Sequence, residues 1–398
     1  MKFNFLIYFK VEIIIIIPIH FAYFFWIYFP DIFYRMNWQY IIIAILLILL
    51  VPRMCKLYCG YSEGFADSVD STESESIDRE KYIQRFSEDS HRMFPFRYFT
   101  DEDDKPLPFV AVTGFFREKE AEDRYNEYIE NGIHIFGITA YKSFPNRKLL
   151  DISEGEYEKK DTFDYHNKIR NWLCCFKYKE NYGFTSWNWV VDISESDFYD
   201  AETVEHVDKL YDFIYICNKD ADGCPMSGWN AINRNFDLAK KCFPIMCNEF
   251  GLKGLIVGRE GCDLEKEYNG KLEVVGWLDW HILQEKMRQS KFLFVPNIFD
   301  ASPRVVTECI TKDLPVLMNR DILCGSKYIN YETGELFTDD TDIRQALTAL
   351  FDKQYNISPK KWWSENYSQE KSQKALREFL DRAFPNELDG VERVQFIL

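Results

Sequence analysis

The chain has 398 residues, of which 46% are hydrophobic, so it is long enough to bury one large or two medium cores. Its formal net charge of -16 excludes a protein that coats nucleic acid, because neutralising phosphates requires clustered lysines and arginines. An anionic ligand must therefore be held locally, by helix N-termini and a few cations.

Residues 1–56 are predicted to associate with a membrane. Two apolar runs, residues 13–29 and 38–51, each approach the ~20 residues that cross the hydrocarbon of a bilayer. Together they predict a membrane hairpin, and the alternative is a single span followed by an interfacial segment. The lysines and arginines outside the two runs predict that both ends, and the catalytic domain with them, lie in the cytoplasm. The 11 cysteines show no metal-ligand spacing and are predicted to be reduced, mostly buried thiols.

Residues 57–105 are predicted to be an acidic flexible linker. Their Ser, Glu and Asp content is too high for the segment to bury enough apolar area to fold by itself. The linker would separate the membrane region from the globular part.

Strands and helices alternate regularly after residue 106. An apolar strand over 108–116, an amphipathic helix over 118–130 and a strand over 133–140 form a strand-helix-strand unit. Residues 106–210 are therefore predicted to be an N-terminal Rossmann-like acceptor domain, although a helix over 163–176 is the weakest element in it.

A second alternation predicts a C-terminal Rossmann-like donor domain over residues 211–340, followed by C-terminal helices over 341–398. Its five short apolar strands are expected at 213–217, 252–257, 272–275, 292–295 and 316–318. The fold class is thus α/β, with two Rossmann-like domains, and ligands of such folds lie at the carboxyl ends of the strands.

A helix start after the fourth of these strands predicts an anion site. Ser302 suits an N-cap, and Pro303 suits the first helical position. The backbone amides of Arg304, Val305 and Val306 would then be free to bind an anion.

Two acids flank this helix start. Asp300 lies on the loop before it, and Glu308 lies in the second turn, away from the buried face. Carboxylates repel phosphate but accept hydrogen bonds from hydroxyl groups. A phosphate with hydroxyls on both sides describes a nucleotide sugar.

The order of motifs in residues 252–350 resembles the donor-binding domain of GT-B glycosyltransferases, family 4 in particular. The matching features follow an apolar strand in this order: Pro296-Asn297, Asp300, Ser302-Pro303, Glu308 and Asp313-Leu314-Pro315-Val316. Upstream of these features, Gly276 stands at the turn between a strand and the helix that leads into the apolar strand. Asp300 replaces the usual Glu of the family, and Asp313 replaces its usual Gly.

The resemblance implies roles for these residues. Glu308 would hold the ribose hydroxyls, Asp300 would hold the donor sugar, and the backbone from Ala301 to Val306 would hold the diphosphate. Lys219 would be one of two cations at the leaving diphosphate, and Arg234 or Arg259 the other. The family needs no metal or other cofactor and retains the anomeric configuration.

On the acceptor side, the sequence offers Thr113-Gly114 as the loop after the first strand and Asp197 at a strand end. The alternative for Asp197 is a capping role in a turn. Asp220 and Asp222 have the spacing of a metal site but read better as a solvated turn. His134, in an apolar strand, reads better as a buried histidine than as a catalytic one.

The resulting hypothesis is a membrane-tethered hexosyl- or pentosyltransferase. It would move a sugar from a nucleotide-diphosphate sugar to a hydroxyl of a glycan, a lipid-linked molecule or a protein. Two alternatives stay open: a catalytically inactive membrane-anchored GT-B-like scaffold, and a chain in which the membrane segments are the functional part.

Overall fold

The structure is a computed structural model that describes residues 79–397 except 140–141, 150–159, 203–206 and 354. The predicted membrane region, residues 1–56, and the first part of the predicted linker, residues 57–78, lie outside the described residues. Within the described ranges, no helix is long and apolar enough to cross a bilayer.

The described residues form two six-stranded sheets within one compact unit. Their strands are β1 (Phe96–Thr100), β2 (Pro106–Val112), β3 (His134–Ile138), β4 (Asn171–Leu173), β5 (Trp189–Val191), β6 (Tyr211–Ile216), β7 (Gly254–Val257), β8 (Leu272–Val275), β9 (Ser290–Val295), β10 (Val316–Asn319), β11 (Gly334–Phe337) and β12 (Gln395–Phe396).

The helices lie between the strands and after β11. They are α1 (Arg79–Gln84), α2 (Lys119–Glu130), α3 (Tyr165–Lys168), α4 (Trp229–Asn233), α5 (Phe236–Pro244), α6 (Leu264–Glu267), α7 (Trp280–Arg288), α8 (Arg304–Thr311), α9 (Ile343–Lys353), α10 (Pro359–Asn366) and α11 (Gln369–Ala383). A π-helical turn, Ile245–Glu249, continues α5.

The second sheet is fully parallel, with the order β11-β10-β9-β6-β7-β8. The chain thus winds outward from β6 in one direction and from β9 in the other, which is the doubly wound arrangement. Its central strands are apolar because helices cover both faces of the sheet. We call this sheet and its helices the C-terminal lobe, and the predicted strands of residues 211–340 are confirmed in it, with β11 added at the edge.

The first sheet has the order β12-β1-β2-β3-β4-β5. Strands β2 to β5 are parallel, whereas β1 is antiparallel to β2 and β12 is antiparallel to β1. We call this sheet and the helices packed on it the N-terminal lobe. Two α/β sheets with parallel cores agree with the predicted fold class.

Residues 79–105 are folded, although the sequence predicts a linker there. Phe86 is fully buried, and its ring packs against Tyr98 and Tyr128. The hydroxyls of Tyr98 and Tyr128 are 2.7 Å apart. A few aromatic side chains, packing on residues that follow later in the chain, supply the apolar area that the average composition of this segment lacks.

The predicted helix over 163–176 is wrong for most of its length. Only α3 is helical, capped by Asp164, whose side chain accepts a hydrogen bond from the Asn167 amide. The residues that follow form β4, which pairs with β3 and β5. Pairing with strands distant in sequence outweighs local helical periodicity here.

The last helix returns to the N-terminal lobe. Leu376, Phe379 and Leu380 of α11 are buried in the cluster that also contains Phe109 and Phe136 of the N-terminal sheet. The indole of Trp363, in α10, is buried in the C-terminal lobe and donates a hydrogen bond to the Tyr199 carbonyl at 2.7 Å. The C-terminal helices therefore tie the lobes together.

The cysteine prediction is wrong for one pair. Cys224 and Cys262 form a disulfide that joins the loop after β6 to the loop after β7. Seven other cysteines of the described residues are free and buried, as the sequence predicts. The paired cysteines are 38 residues apart, so only the fold brings them together.

Candidate active site

The candidate site lies at the switch point of the C-terminal sheet. Strands β6 and β9 are neighbours there, and the chain leaves them toward helices that wind in opposite directions. Such a crevice, at the carboxyl ends of the strands, is where doubly wound sheets bind ligands. The loop after β9 carries Asp300, and helix α4, after β6, is followed directly by Arg234.

Asp300 and Arg234 form an ion pair across this crevice. Asp300 also accepts hydrogen bonds from the Asn297 side-chain amide at 3.0 Å and from the Ser302 backbone amide at 3.3 Å. Burial lowers the pKa of Arg234, and the nearby Arg304 lowers it further. An arginine still remains protonated at neutral pH, so the crevice holds a fixed cation beside a carboxylate.

A cavity of about 450 Å3 opens beside this pair, and both lobes contribute to its walls. It is lined by four arginines and two carboxylates: Arg92, Arg97, Arg234, Arg304, Glu195 and Asp300. In a chain with a net charge of -16, this excess of arginine marks a place for an anionic ligand. The size falls within the range of small-molecule sites.

The loop before α8 is fixed by contacts with both lobes. The Ser302 hydroxyl lies 2.9 Å from the Ser196 hydroxyl and 3.3 Å from that of Ser194, both in the N-terminal lobe. The Cys175 thiol donates a hydrogen bond to the Ala301 carbonyl at 3.2 Å. The start of α8 therefore faces the other lobe, as the donor-site hypothesis requires.

The predicted helix cap differs in detail. Pro303, not Ser302, occupies the N-cap position, and no side chain caps the helix. The Arg304 amide donates to the Ser302 carbonyl at 2.8 Å, and the Val306 amide donates to the Pro303 carbonyl at 2.9 Å. Of the three amides predicted to be free, at most that of Val305 is left for an anion. The side chain of Arg304, which lines the cavity, supplies charge that the sequence prediction assigned to the backbone.

Gly325 allows the segment after β10 to pack against this helix start. Its φ of +99° is in the left-handed region, and a Cβ placed there would lie 2.5 Å from Pro303 Cγ. A larger residue would push Pro303, and with it the loop that carries Asp300.

Glu308 lies on α8 but is not among the residues that line the cavity. Its carboxylate accepts hydrogen bonds from the Tyr199 hydroxyl at 3.3 Å and from the Gln284 amide at 3.0 Å. Burial and the nearby Glu308 raise the pKa of Tyr199 to about 12, so the tyrosine stays a donor at neutral pH. A ribose would have to take the place of these partners to bind Glu308.

Lys219 and Gly276 lie together outside the cavity. Lys219 forms an ion pair with Glu260 at 2.9 Å. A Cβ at Gly276 would lie 3.2 Å from the Glu260 carboxyl carbon, so glycine makes room for that side chain. The structure therefore groups two predicted donor residues around Glu260.

Arg259 does not reach the cavity. It is fully buried, donates hydrogen bonds to the Cys217 sulfur and the Pro225 carbonyl, and stacks on the Phe236 ring at 4.1 Å. Its guanidinium is satisfied within the core. Of the two arginines proposed for the second cation, only Arg234 lies in the candidate site.

The acceptor-side residues are placed differently from one another. Thr113 lines the cavity, and its hydroxyl donates to the Pro95 carbonyl at 2.9 Å, while its neighbour Gly114 is buried. Asp197 is buried away from the cavity and accepts hydrogen bonds from Lys327 at 2.9 Å and from Tyr328 at 2.6 Å. It also completes a capping box with Ser194, so the capping alternative describes it better than acceptor binding.

The remaining sequence candidates have structural partners. Asp220 accepts hydrogen bonds from the Asn230 and Ala231 amides and so caps α4. His134 lies 2.8 Å from Glu387 and stacks on Phe384. Within the part of the chain that the structure describes, no group of three or more His, Cys, Asp or Glu side chains could hold a metal ion.

Several residues of the cavity were missed by the sequence prediction. Arg92 and Arg97 fall in the segment predicted to be a linker, so their place in a lobe could not be foreseen. Trp229 and Asn233 also line the cavity. Asn233 directly precedes the predicted cation Arg234, and this adjacency is the sequence feature that could have indicated its place in the site.

A second cavity, of about 320 Å3, shares Arg97, Glu195 and Arg304 with the first. Its other walls carry the amides Gln369, Gln373 and Gln395 and the aromatic rings of Phe198, Tyr199 and Phe396. The first cavity thus continues along the N-terminal lobe into a space lined by polar amides and rings.

No protein-family model matches the chain, and no curated protein sequence matches it. Solved structures similar to it include the pneumococcal O-GlcNAc transferase GtfA in complex with UDP and GlcNAc (10% identity, 66% of this chain and 55% of that chain, TM-score 0.47). Others are the lipopolysaccharide outer core galactosyltransferase WaaB (13%, 69% and 75%, 0.48) and a glycosyltransferase from Rickettsia africae (12%, 80% and 85%, 0.46). The chain spans about half the length of the first of these. The topology itself, two α/β sheets with a cavity between their loops, fits a two-domain GT-B fold.

Proposed function

We propose that the protein transfers a sugar from a nucleotide-diphosphate sugar to a hydroxyl of a glycan, a lipid-linked molecule or a protein. The observation that carries the proposal is the Asp300–Arg234 pair at the switch point, inside a cavity walled by both lobes. A transfer between two substrates needs such a place, where the donor on one lobe meets the acceptor on the other.

In the proposed reaction, the acceptor oxygen bonds to the anomeric carbon of the donor while the bond from that carbon to the diphosphate oxygen breaks, and the acceptor hydroxyl proton leaves with the nucleoside diphosphate. Negative charge then grows on the diphosphate, and nearby fixed cations lower the energy of that state. Arg234 and Arg304 line the cavity and would supply these charges. Lys219 would join them after exchanging Glu260 for the diphosphate.

The two acids would orient the donor. Asp300 already accepts hydrogen bonds from the Asn297 side-chain amide and the Ser302 backbone amide, and a sugar hydroxyl is a chemically equivalent donor. Glu308 would accept the ribose hydroxyls in place of Tyr199 and Gln284. Retention of anomeric configuration and a reaction without a metal belong to this proposal through the family resemblance alone, and tethering by residues 1–56 belongs to it through the two apolar runs.

The test uses the full chain in detergent with a panel of UDP- and GDP-sugars. The donor that binds should raise the melting temperature, because a ligand that binds only the folded state stabilises it. Nucleoside diphosphate should be released from that donor, and D300A and E308A should slow the release. Absence of both stabilisation and release across the panel would overturn the proposal.

A further inference from the structure

Asn233 lines the cavity with a side-chain amide that the described part of the protein leaves without a hydrogen-bond partner. Its exposed fraction is 1%, and neither its amide nitrogen nor its amide oxygen has a hydrogen-bond partner among the described residues. A buried amide without partners costs the folded state free energy, because the water it lost is not replaced. The residue nevertheless lines the cavity beside Arg234 and Asp300.

Trp229 lies one helical turn before Asn233 on α4 and lines the same cavity. Residues four positions apart lie on the same face of a helix, so the indole and the amide form one surface. Trp229 is 44% exposed, which is high for so large an apolar side chain in a cavity. Phe299, on the loop that carries Asp300, adds a second half-exposed ring.

This surface is held rigidly against the donor loop. The Ile298 backbone amide donates a hydrogen bond to the Asn233 carbonyl at 3.2 Å. Arg234, the next residue, pairs with Asp300. The backbone at Asn233 is therefore anchored to the loop that carries Asp300.

We propose that Trp229 and Asn233 form the subsite that selects the donor sugar, with the amide pairing to one ring hydroxyl and the indole covering an apolar face of the sugar ring. The inference rests on the proposed function. An amide offers N–H donors and an oxygen acceptor, so a hydroxyl group can pair with both of its ends, whereas an ionised phosphate can only accept from its N–H groups. The C–H face of a pyranose suits the flat, apolar indole.

The chemistry of the subsite also predicts which donors it rejects. A site built to hydrogen-bond a hydroxyl discriminates strongly against a sugar that lacks it, because the buried amide is then left unpaired. One member of a series of monodeoxy donors should therefore be a poor substrate of the wild type. N233L should use that analogue and its parent sugar about equally well.

The first test needs no activity. N233L replaces the unpaired amide by an apolar side chain of similar size, so the ligand-free full chain should melt about 2–4 °C higher than the wild type. N319L is the matched control and should melt lower, because the buried Asn319 donates to the Pro296 carbonyl and accepts from the Asp321 amide. A lower melting temperature for N233L would show that the amide has a structural partner and would overturn the inference.

The second test measures donor use. N233L should lower kcat/KM for the parent donor by about 10–100-fold while the Kd for the free nucleoside diphosphate stays unchanged. W229A, at a half-exposed position that does not endanger folding, should raise the donor KM and also leave that Kd unchanged.

The outcomes separate the two proposals. A wild type that turns over no donor removes the proposed function and this inference with it. A wild type that turns over donor, while N233L and W229A do so equally well, removes the inference alone.

Discussion

Two aspartates lie where the lobes meet, and their surroundings differ. Asp197 is buried, and its carboxylate accepts hydrogen bonds from Lys327, Tyr328 and the Ser194 amide. Asp300 faces a cavity, pairs with one arginine, and has an amide without partners nearby. Both acids follow strands near the same cleft, so the sequence offered both as site residues. Each carboxylate has three partners within the protein, so what separates a structural carboxylate from one that a ligand can reach is whether it faces a cavity.

The largest effect is expected at the lobe contact. D197A leaves Tyr328 without its buried acceptor and Lys327, among the described residues, with only the half-exposed Asp192, which should lower the free energy of unfolding by about 3 kcal/mol. Burial alone would lower the pKa of Lys327, but Asp197 and Asp192 outweigh it and raise that pKa, in agreement with a strong pair. Urea unfolding measures the change. D192A, at the half-exposed second partner of Lys327, is the control and should cost less than about 1 kcal/mol. Equal losses of unfolding free energy in D197A and D192A would contradict the interpretation of Asp197 as a buried structural acid.

At the cavity, activity should fall more than stability. D300N keeps the size of the side chain but removes the charge that orients the donor, and kcat/KM should drop by about 100-fold. The double variant D300N/R234Q should recover any stability lost through the unpaired arginine without recovering activity. D237A, at an exposed acid of the same lobe, should leave both unchanged. A D300N enzyme with nearly full activity would place the donor elsewhere.

The N-terminal lobe should be weakened by acid through His91. Burial, and then Arg124, lowers the pKa of this histidine from 6.5 to about 4. The unfolded chain takes up the proton first as the pH falls, so the contribution of His91 is complete above pH 6.5 and is lost progressively toward pH 4. Between pH 7 and pH 4.5, the free energy of unfolding of the wild type should fall by about 2–3 kcal/mol more than that of H91F. H281F, at an exposed histidine, should behave like the wild type, and a wild-type profile in H91F would disprove the assignment.

The smallest effect concerns Lys219 and its partner. If Lys219 reaches the diphosphate, E260Q frees it from an ion pair and should tighten nucleoside diphosphate binding by up to about fivefold. K219Q should weaken the same binding. Calorimetric titration of both variants measures the change. Unchanged affinity in both would leave Arg234 and Arg304 as the cations of the cavity.

The sequence predicted the C-terminal lobe more closely than the N-terminal lobe. Strands β6 to β10 are short apolar runs separated by amphipathic helices, and this local pattern was sufficient to place them. In the N-terminal lobe, β1 pairs with its neighbour β2 and also with β12, which follows almost 300 residues later, and β4 forms between β3 and β5. Such pairing leaves little trace in local periodicity.

In the candidate site, too, some features follow from the local sequence and others depend on the fold. The sequence by itself determined the doubly wound C-terminal lobe, the place of Asp300 after its fourth strand and the helix start beside it, because strand and helix periods and turn residues act over short distances. Only the tertiary structure decided that Arg234 and not Arg259 faces the cavity, that Asp197 is buried between the lobes, and that Arg92 and Arg97 join the site. These outcomes depend on burial and on hydrogen-bond partners contributed by distant segments, and a local pattern carries no record of either.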